Sequence, residues 1–467
     1  MRHYLGLSEY FLRQKQQTQP VVYQPESLIN SHLLLAGMSG TGKSFQSVRL
    51  LDAAVAAGIE VDVFDVHEEL DGVRGSTACK YSRATGYGHN PLVLDTNPHS
   101  GGVDAQVSFI VRLVREATPT NFGAKQEAAL RNLLTDTYAL SGIFENRPDT
   151  WVRRSITEKE REVIVSERRW SELRQYYPTL DDVKSFAKRK IMALTIGGDQ
   201  KAVTAYEGLA RVKARLSSAQ SRWAKATSDE ETAKLEKQID DLKGKAIEAY
   251  ADFINNLKTG KEIDDILKYD SVDVLTSVLQ RIELLGSTGL LRANEPPFGN
   301  AQARVHQIKD MSREQQVLFV KLRLREIFER RKREGATPTG TELRHVIFLD
   351  EAPTYFSDDP DDIINIIARE ARKFGIGLWC AAQSPTGFPE DFLTNVGATV
   401  LLGVHSKFWK YCTNSLRITE DGLKFIKAKE VLAIKLQRAG QADPPFINVI
   451  VPNPDTSLGR QAASMAA

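Results

Sequence analysis

The sequence has few cysteines and no long apolar run. Its three cysteines, Cys79, Cys380 and Cys412, lie far apart and form no metal-ligand spacing. No stretch approaches the roughly 18 apolar residues that a membrane-spanning helix needs, and no apolar signal-peptide core follows the start of the chain. We therefore expect a reduced, soluble protein of the cytoplasm.

The sequence also lacks an excess of charge of either sign. Its 62 basic and 60 acidic residues give a formal net charge of +2. Any nucleic-acid site must therefore be a local patch and not a property of the whole surface. With 467 residues of globular composition, the chain is too long for one ordinary domain and long enough for a large core with insertions.

A glycine-rich turn near residue 40 carries the strongest motif. Residues 32–36 predict a buried strand, residues 44–51 open a helical pattern, and residues 37–44 (GMSGTGKS) fit G-x-x-x-x-G-K-S. This is a P-loop in the strand–turn–helix context that it requires. The alternative, a glycine-rich turn that binds nothing, fits the fixed positions poorly.

The residue types of this P-loop match the chemistry of a nucleoside triphosphate. Its glycines let successive backbone N–H groups face a phosphate chain. Lys43 supplies a positive charge to the β- and γ-phosphates, and the Ser44 hydroxyl ligates Mg²⁺. The sequence therefore predicts bound ATP and Mg²⁺. The predicted nucleotide-binding residues of the loop are Gly37, Ser39, Gly40, Thr41, Gly42, Lys43 and Ser44.

Acidic residues follow the next predicted strand. Residues 61–65 form that strand one helix after the first, which predicts a parallel βαβ pair. The segment 65–69 (DVHEE) comes at its end. Because ligands bind at the carboxyl ends of strands in an open α/β sheet, Asp65 and Glu69 are candidates for the γ-phosphate end of the site. The alternative is an acidic helix N-terminus, where carboxylates are favourable anyway.

A later apolar strand, residues 345–349, ends in Asp350 and Glu351. This is the Walker B pattern, in which Asp350 would hold the Mg²⁺ shell and Glu351 would polarise the attacking water. Solvated acids at a strand end are the alternative, which a P-loop in the same chain disfavours. We predict that Lys43 and Asp350 converge on one Mg²⁺-bound triphosphate.

Two further polar groups are predicted to serve the same reaction. The strand 375–382 is followed by Gln383, an amide that can report the γ-phosphate. Before that strand, Arg369 and Arg372 place two guanidinium groups at one helix end. An arginine donated across a subunit interface accelerates phosphoryl transfer by about 10³–10⁵-fold. We favour Arg372 for this role, which requires an oligomer; a helix-capping basic cluster is the alternative.

The rest of the chain predicts a helical insertion within the ATPase core. Apolar residues at spacings of three and four in 209–223 and 235–253, with a capping box that starts at Ser228, indicate a helical hairpin. The expected segments are a lead-in (1–30), a first part of the core with a helical subregion (31–202), the hairpin (203–258), the second part of the core (259–452) and a disordered tail (453–467).

Two basic segments admit two interpretations each. Arginines and aromatic residues in 151–177 suit nucleic-acid contact, but interleaved glutamates favour a solvated, salt-bridged face. The basic residues 330–333 complement the dipole of a helix that ends at Gly335, although they could also form a binding patch. A terminal β-hairpin is predicted over 431–436 and 446–451.

The P-loop, the acidic turn, the Walker B pair and Gln383 with Pro385 occur in this order along the chain. The combination resembles the HerA/FtsK superfamily of ring ATPases, particularly HerA-like proteins and the related conjugation ATPases of type IV secretion. The resemblance implies an α/β fold with a RecA-like P-loop core, whose mainly parallel sheet is flanked by helices. It also implies that Asp65, His67 and Glu69 form the acidic motif of these families and that Arg372 is their arginine finger.

The same resemblance implies a homo-oligomeric ring of six subunits that hydrolyses ATP to move along double-stranded DNA, with a nuclease or other effector as partner. Two departures stand against a simple transfer of this function. HerA proteins usually begin with a β-barrel and coupling proteins with membrane helices, whereas residues 1–30 alone precede the P-loop strand. The alternative is an assembly or scaffold ATPase of a conjugation, secretion or defence complex, which powers or presents a partner protein without moving DNA.

Overall fold

The computed structural model describes residues 1–117, 122–196, 200–226, 229–256, 268–452 and 456. The chain folds into two compact units. The first, called the sheet unit here, comprises Met1–Gly88 and Glu295–Ala467, and the second, the helical unit, comprises His89–Asn294.

One eleven-stranded sheet organises the sheet unit. Its strands are β1 (His3–Ser8), β2 (Pro20–Tyr23), β3 (Leu33–Gly37), β4 (Glu60–Asp65), β5 (Ser76–Lys80), β6 (Ala303–Gln307), β7 (His345–Leu349), β8 (Ile376–Ala382), β9 (Ala398–Gly403), β10 (Val431–Leu436) and β11 (Ile447–Ile450). Their order is β2-β1-β11-β10-β9-β3-β8-β7-β4-β6-β5. Pairing is antiparallel from β2 to β9 and parallel from β9 to β5. The predicted α/β class with a mainly parallel sheet is confirmed.

Helices connect the strands and form the helical unit. Over the described residues they are α1 (Glu9–Gln14), α2 (Lys43–Ala56), α3 (Val103–Ala117), α4 (Ala124–Leu140), α5 (Glu158–Ser166), α6 (Trp170–Leu173), α7 (Leu180–Ile196), α8 (Gln200–Trp223), α9 (Asp229–Asn256), α10 (Val272–Ser287), α11 (Arg313–Glu334), α12 (Ile363–Glu370), α13 (Glu390–Asn395), α14 (Trp409–Tyr411) and α15 (Glu420–Lys424). Local signals account for the bounds of α11. A capping box of Ser312 and Gln315 starts it, and Gly335, with a φ of 85°, follows its last residue.

The strand that precedes the P-loop and the strand that precedes the acidic turn are both present, but they are not neighbours. β3 pairs with β8 and β9, whereas β4 pairs with β6 and β7. The predicted parallel direction of the two strands is confirmed, but they are not hydrogen-bonded to each other. The later strands β8 and β7 lie between them, and nothing in the local pattern of residues 33–65 signals that insertion.

Residues 1–30 are not the simple lead-in that we expected. β1 pairs with β2 and with β11, so this segment is an integral edge of the sheet. Leu5, Leu7 and Tyr23 are buried. The partner strand β11 comes more than 400 residues later, and this long separation hides the pairing from any local pattern.

The predicted helical hairpin is present as α8 and α9 of the helical unit. Ala219, Ile239 and Leu242 form its buried seam. Trp223, which we placed in the seam, is 44% exposed and donates from Nε1 to Glu236 instead. Two other predictions concern Ser228 as the start of the capping box and the tail from 453. Both lie outside the described residues, apart from the isolated residue 456.

Both basic segments contain residues with structural contacts. Within 151–177, Trp151 and Tyr177 are buried, and Arg169 pairs with Glu167 at 2.7 Å, as the salt-bridged interpretation expects. In α11, Arg331 is buried and its guanidinium lies 2.8 Å from a carboxylate oxygen of Glu60. Arg331, Lys332 and Arg333 lie in the last turn of α11, as the dipole interpretation expects, and Arg331 adds this ion pair.

Candidate nucleotide-binding site

The P-loop is held in shape by its own side chain and by a neighbouring strand. Thr41 Oγ1 donates to the Met38 carbonyl at 2.7 Å, and the Met38 N–H donates to the Gly403 carbonyl, beside the end of β9, at 3.0 Å. A Cβ atom at Gly37 would lie 2.6 Å from Thr41 Oγ1, so only glycine fits there. Gly42 has a φ of 97°, in the left-handed region. These contacts and glycine conformations define the shape of the loop.

Lys43 joins the P-loop to the end of β7. Its Nζ lies 2.8 Å from Glu351 Oε1 and 3.7 Å from Asp350 Oδ1. The Lys43 side chain is only 13% exposed, and that of Asp350 is 8% exposed. The two distant segments of the sequence are thus brought together, as the sequence predicts.

The two Walker B carboxylates differ in environment. Burial raises the pKa of Asp350 to about 6, and the nearby positive charge of Lys43 opposes that rise. Glu351 is more exposed and has a φ of 47°, an uncommon backbone conformation for a glutamate. Such backbone geometry is typical of residues whose side-chain direction is set by function.

The turn after β4 presents its acidic motif to the same place, but Asp65 holds the turn. One carboxylate oxygen of Asp65 accepts the backbone N–H groups of residues 67–69, and the other accepts that of Leu70. Glu69 Oε2 accepts a hydrogen bond from Ser44 Oγ at 2.5 Å. His67 Nε2 lies 3.7 Å from Glu351 Oε1. Both oxygens of Asp65 are thus engaged by backbone, whereas Glu69 and His67 face the site.

The oxygen donors suit Mg²⁺ held together with phosphates. The Ser44 hydroxyl and the Asp350 and Glu69 carboxylates supply hard oxygen ligands near Lys43. No group of three or more His, Cys, Asp or Glu side chains in the described ranges could hold a metal ion by itself. That donor set fits Mg²⁺, which is usually bound by one or two carboxylates plus substrate phosphates and water.

Gln383 and Arg372 lie at opposite ends of β8. Ala36 pairs with Ala382, so the exposed Gln383 follows at the edge of the sheet that carries the P-loop. Arg372 lies before β8, where its charge adds to burial in lowering the pKa of His32 to about 4. Since the seven residues of β8 span about 20 Å, Arg372 is remote from the P-loop of its own chain.

Arg369, the other candidate finger, already has a partner. Its Nη2 donates to the Pro360 carbonyl at 2.7 Å. This contact closes the loop that precedes α12 and leaves Arg372 as the better candidate.

Tyr355 is a site residue that we did not predict. It is buried, its hydroxyl has no hydrogen-bond partner among the residues that the structure describes, and burial together with the charges of Asp350 and Glu351 raises its pKa. An orphaned buried hydroxyl beside two carboxylates suggests a group supplied by a ligand or water. The only sequence signal for it is its position four residues after Glu351.

Comparison with known proteins agrees with this fold. Residues 11–339 match the family described as "Helicase HerA, central domain". The chain is similar to VirB4 of Thermoanaerobacter pseudethanolicus, with 15% identity and a TM-score of 0.55 over 97% of this chain and 96% of that chain. It also matches the bacterial conjugative coupling protein TrwBdeltaN70, with 12% identity and a TM-score of 0.45 over 97% and 94% of the two chains. No curated protein matches it.

Two findings complete the comparison. Within the described ranges, none of the helices has the length and apolar character to span a membrane. The family match covers more than half of the chain, including the P-loop and the acidic turn, and ends before the strand that carries Asp350. The chain therefore belongs to the HerA helicase central-domain family and is a P-loop ATPase.

Proposed function

We propose that this ATPase is a ring motor of six subunits that hydrolyses Mg²⁺-ATP to move along double-stranded DNA. The observation that carries the proposal is the 2.8 Å contact between Lys43 of the P-loop and Glu351 of the Walker B strand. The family description, a helicase, supplies the link to DNA. A nuclease or other effector is a further partner in this proposal.

Each residue of the site has a proposed role. Lys43 neutralises the β- and γ-phosphates, and Glu351 orients and polarises the attacking water. Ser44 and Asp350 hold Mg²⁺, which neutralises phosphate charge when bound. Gln383 reports the state of the γ-phosphate. We assign Asp65 to shaping the acidic turn, because both of its oxygens accept backbone N–H groups.

The position of Arg372 favours the proposal that the subunits form a ring. Arg372 precedes β8, whereas the P-loop lies at the opposite end of that strand, so its guanidinium is proposed to act on a nucleotide that another subunit holds. An arginine finger of this kind stabilises the charge on the transferring phosphoryl group. The finger and the oligomer are therefore one hypothesis.

DNA-stimulated ATP hydrolysis tests the motor. We expect double-stranded DNA to accelerate hydrolysis several-fold, and Lys43→Ala and Glu351→Gln to lower both basal and stimulated activity by at least about 100-fold. Mass measurement with and without ATP reports the ring directly. If no DNA of any kind stimulates hydrolysis, the motor proposal fails while the ATPase assignment stands.

Subunit mixing tests the finger. Arg372→Ala subunits keep an intact P-loop, and Lys43→Ala subunits keep an intact arginine. If the two groups meet across an interface, a mixture of the two inactive proteins should recover part of the activity. Absence of any recovery would leave Arg372 as a structural residue.

A second candidate function is an assembly or scaffold ATPase that powers or presents a partner protein. The observation that favours it is an exposed apolar stripe on α9, formed by Ile247, Tyr250 and Ile254, which are 72%, 54% and 45% exposed. Such stripes are typical of protein-binding surfaces. Serine substitutions at these three positions should then abolish partner binding and spare hydrolysis, whereas unchanged partner binding would count against this function.

A further inference from the structure

The turn of residues 427–430, directly before β10, contacts the P-loop and belongs to no motif of the sequence. The Lys429 backbone N–H donates to the Thr41 carbonyl at 3.3 Å. The Lys429 Cγ atom lies 3.5 Å from the position that a Cβ atom would take at Gly42. The stem of this lysine therefore crosses the P-loop at the glycine that precedes Lys43.

Backbone hydrogen bonds hold this turn in its conformation. Lys427 and Val431 exchange two backbone hydrogen bonds, of 3.0 and 2.9 Å, and the Val451 N–H, beyond β11, donates to the Glu430 carbonyl at 2.8 Å. Lys429 has a φ of 66°, in the left-handed region that is unfavourable for a lysine. A strained residue that the surrounding structure holds in place is typical of ligand-binding positions.

The charge of Lys429 is available to a ligand. The side chain is exposed, and it forms no ion pair within the part of the chain that the structure describes. The nearest lysine before this turn, Lys424, is instead paired with Glu420 and Asp421. A flexible ammonium without an acidic partner, beside backbone amides that face a phosphate chain, is a phosphate-binding arrangement.

We propose that Lys429 contacts the polyphosphate of the bound nucleotide in its own subunit, at the α- and β-phosphates. P-loop backbone amides cradle the α- and β-phosphates, whereas the Lys43 position reaches the β- and γ-phosphates. The Lys429 side chain lies beside Gly42. Its positive charge is therefore expected near the α- and β-phosphates and not at the γ-phosphate. The inference rests on the nucleotide-binding role of the P-loop and not on DNA, a ring or movement.

Isothermal titration with ATP and with ADP tests the contact without any need for hydrolysis. Lys429→Ala keeps the backbone N–H and removes the ammonium, so we expect Kd to rise about 10-fold for both nucleotides, as for one charge-assisted hydrogen bond. Lys43→Ala should weaken ATP binding more than ADP binding. Lys429→Arg should restore Kd to within about three-fold of the natural protein.

Two variants separate the contact from a change of fold. Lys429→Gly removes the charge but relieves the left-handed strain, so it should bind as weakly as Lys429→Ala while its Tm is equal to or above that of the natural protein. Lys427→Ala removes the same charge two residues away and should change Kd by less than two-fold.

The outcomes are distinct. Binding by Lys429→Ala and Lys429→Gly that equals that of the natural protein would overturn the contact. An equal loss with Lys427→Ala would replace it with diffuse attraction by the whole turn. A Kd loss for ATP alone would move the contact to the γ-phosphate and contradict the proposed position. A natural protein that binds neither nucleotide would overturn the nucleotide site itself.

Discussion

Two clusters of charged residues lie around strands β4 and β7, and they differ in how exposed their side chains are. At the carboxyl ends of the strands lies an edge cluster of Lys43, His67, Glu69, Asp350 and Glu351. On one face of the sheet lies a face cluster of Glu60, Asp62, Arg304, His306, Arg331 and His345. Both mix acids with bases, so residue type alone does not separate a site from a scaffold.

The face cluster is built around a fully buried aspartate. Asp62 lies 2.7 Å from Arg304 Nη2, 2.8 Å from His306 Nε2 and 3.0 Å from His345 Nε2. Burial would raise the pKa of Asp62, but the hydrogen bond from His306 and the close contact with His345 hold it well below its usual range. Tyr81 adds a hydrogen bond from its hydroxyl to His306 Nδ1 at 2.9 Å.

Exposure decides what each cluster can do. His67 is 43% exposed and Glu351 22%, so the edge cluster can exchange partners when a ligand arrives. The side chains of Asp62, His306 and His345 are fully buried, and their partners cannot be replaced by water or phosphate. This difference in exposure favours a ligand-binding role for the edge cluster and a structural role for the face cluster.

Removal of Asp62 should have the largest effect on stability. Asp62→Ala removes the acceptor of His306 and the buried carboxylate beside His345, and it leaves Arg304 paired with Glu60. The free energy of unfolding should therefore fall by about 3–5 kcal/mol, as for a broken buried ion pair. Urea denaturation measures it. The matched control is Asp310→Ala, at an exposed pair with Lys80, which should cost at most about 0.5 kcal/mol. Equal stability of the two variants would refute the structural role.

At the edge cluster we expect a large loss of ATP hydrolysis with little loss of stability. Glu351→Gln should lower the rate of ATP hydrolysis by about 10²–10³-fold, equivalent to about 3–4 kcal/mol of barrier. Its Tm should stay within about 2 °C of the natural value, because Glu351 is partly exposed. Without its 2.8 Å ion pair to Glu351, Lys43 is free for phosphate, and ATP should bind several-fold more tightly. A loss of stability as large as that expected for Asp62→Ala would contradict the proposed difference between the edge cluster and the face cluster.

Acid should destabilise the face cluster through His306. Burial lowers its pKa from 6.5 to about 4, so the unfolded chain binds more protons between these two values. Stability contributed by the neutral histidine is complete above pH 6.5 and declines as the pH falls towards 4. By linkage this one group accounts for about 2 kcal/mol at pH 5.

Urea unfolding at pH 7.5, 6 and 5 measures this loss. His306→Asn should reduce the pH-dependent part by about 2 kcal/mol, even if the variant is less stable at every pH. The exposed His99 provides the control, since His99→Asn should leave the pH dependence unchanged. Equal pH dependence of His306→Asn and the natural protein would exclude this titration.

Local patterns were sufficient for the edge cluster and not for the face cluster. The P-loop and the acids after β7 are short motifs with fixed spacing, and each sits at a strand end that its own apolar run predicts. Asp62 on β4 and His306 on β6 alternate with apolar residues and with other polar ones, a pattern that an ordinary half-exposed strand also shows. Their roles emerge only when β4 lies between β6 and β7, a neighbour relation that the sequence does not contain.

The same limit explains the other differences. β1 and β2 depend on β11 at the far end of the chain, and Lys429 reaches the P-loop through a turn without a motif. Asp65 was predicted at the right place, but the backbone N–H groups that occupy its carboxylate become visible only in the folded turn. Proximity in sequence predicts which residues are near the site, and tertiary contacts decide which of them face it.

The smallest expected effect separates two adjacent glutamates. Glu69 accepts a hydrogen bond from the Ser44 hydroxyl, whereas Glu68 forms an ion pair with Lys80 at 2.8 Å. If Glu69 supports the Mg²⁺ position, Glu69→Gln should raise the Mg²⁺ concentration for half-maximal hydrolysis about five-fold, or about 1 kcal/mol. Glu68→Gln should raise it less than two-fold, because it alters the ion pairs with Lys80 and Lys309, which lie outside the edge cluster. Mg²⁺ titrations of both variants at saturating ATP measure the difference. Identical curves would remove Glu69 from the edge cluster, since two neighbours of one charge would then act only through the general field of the acidic turn.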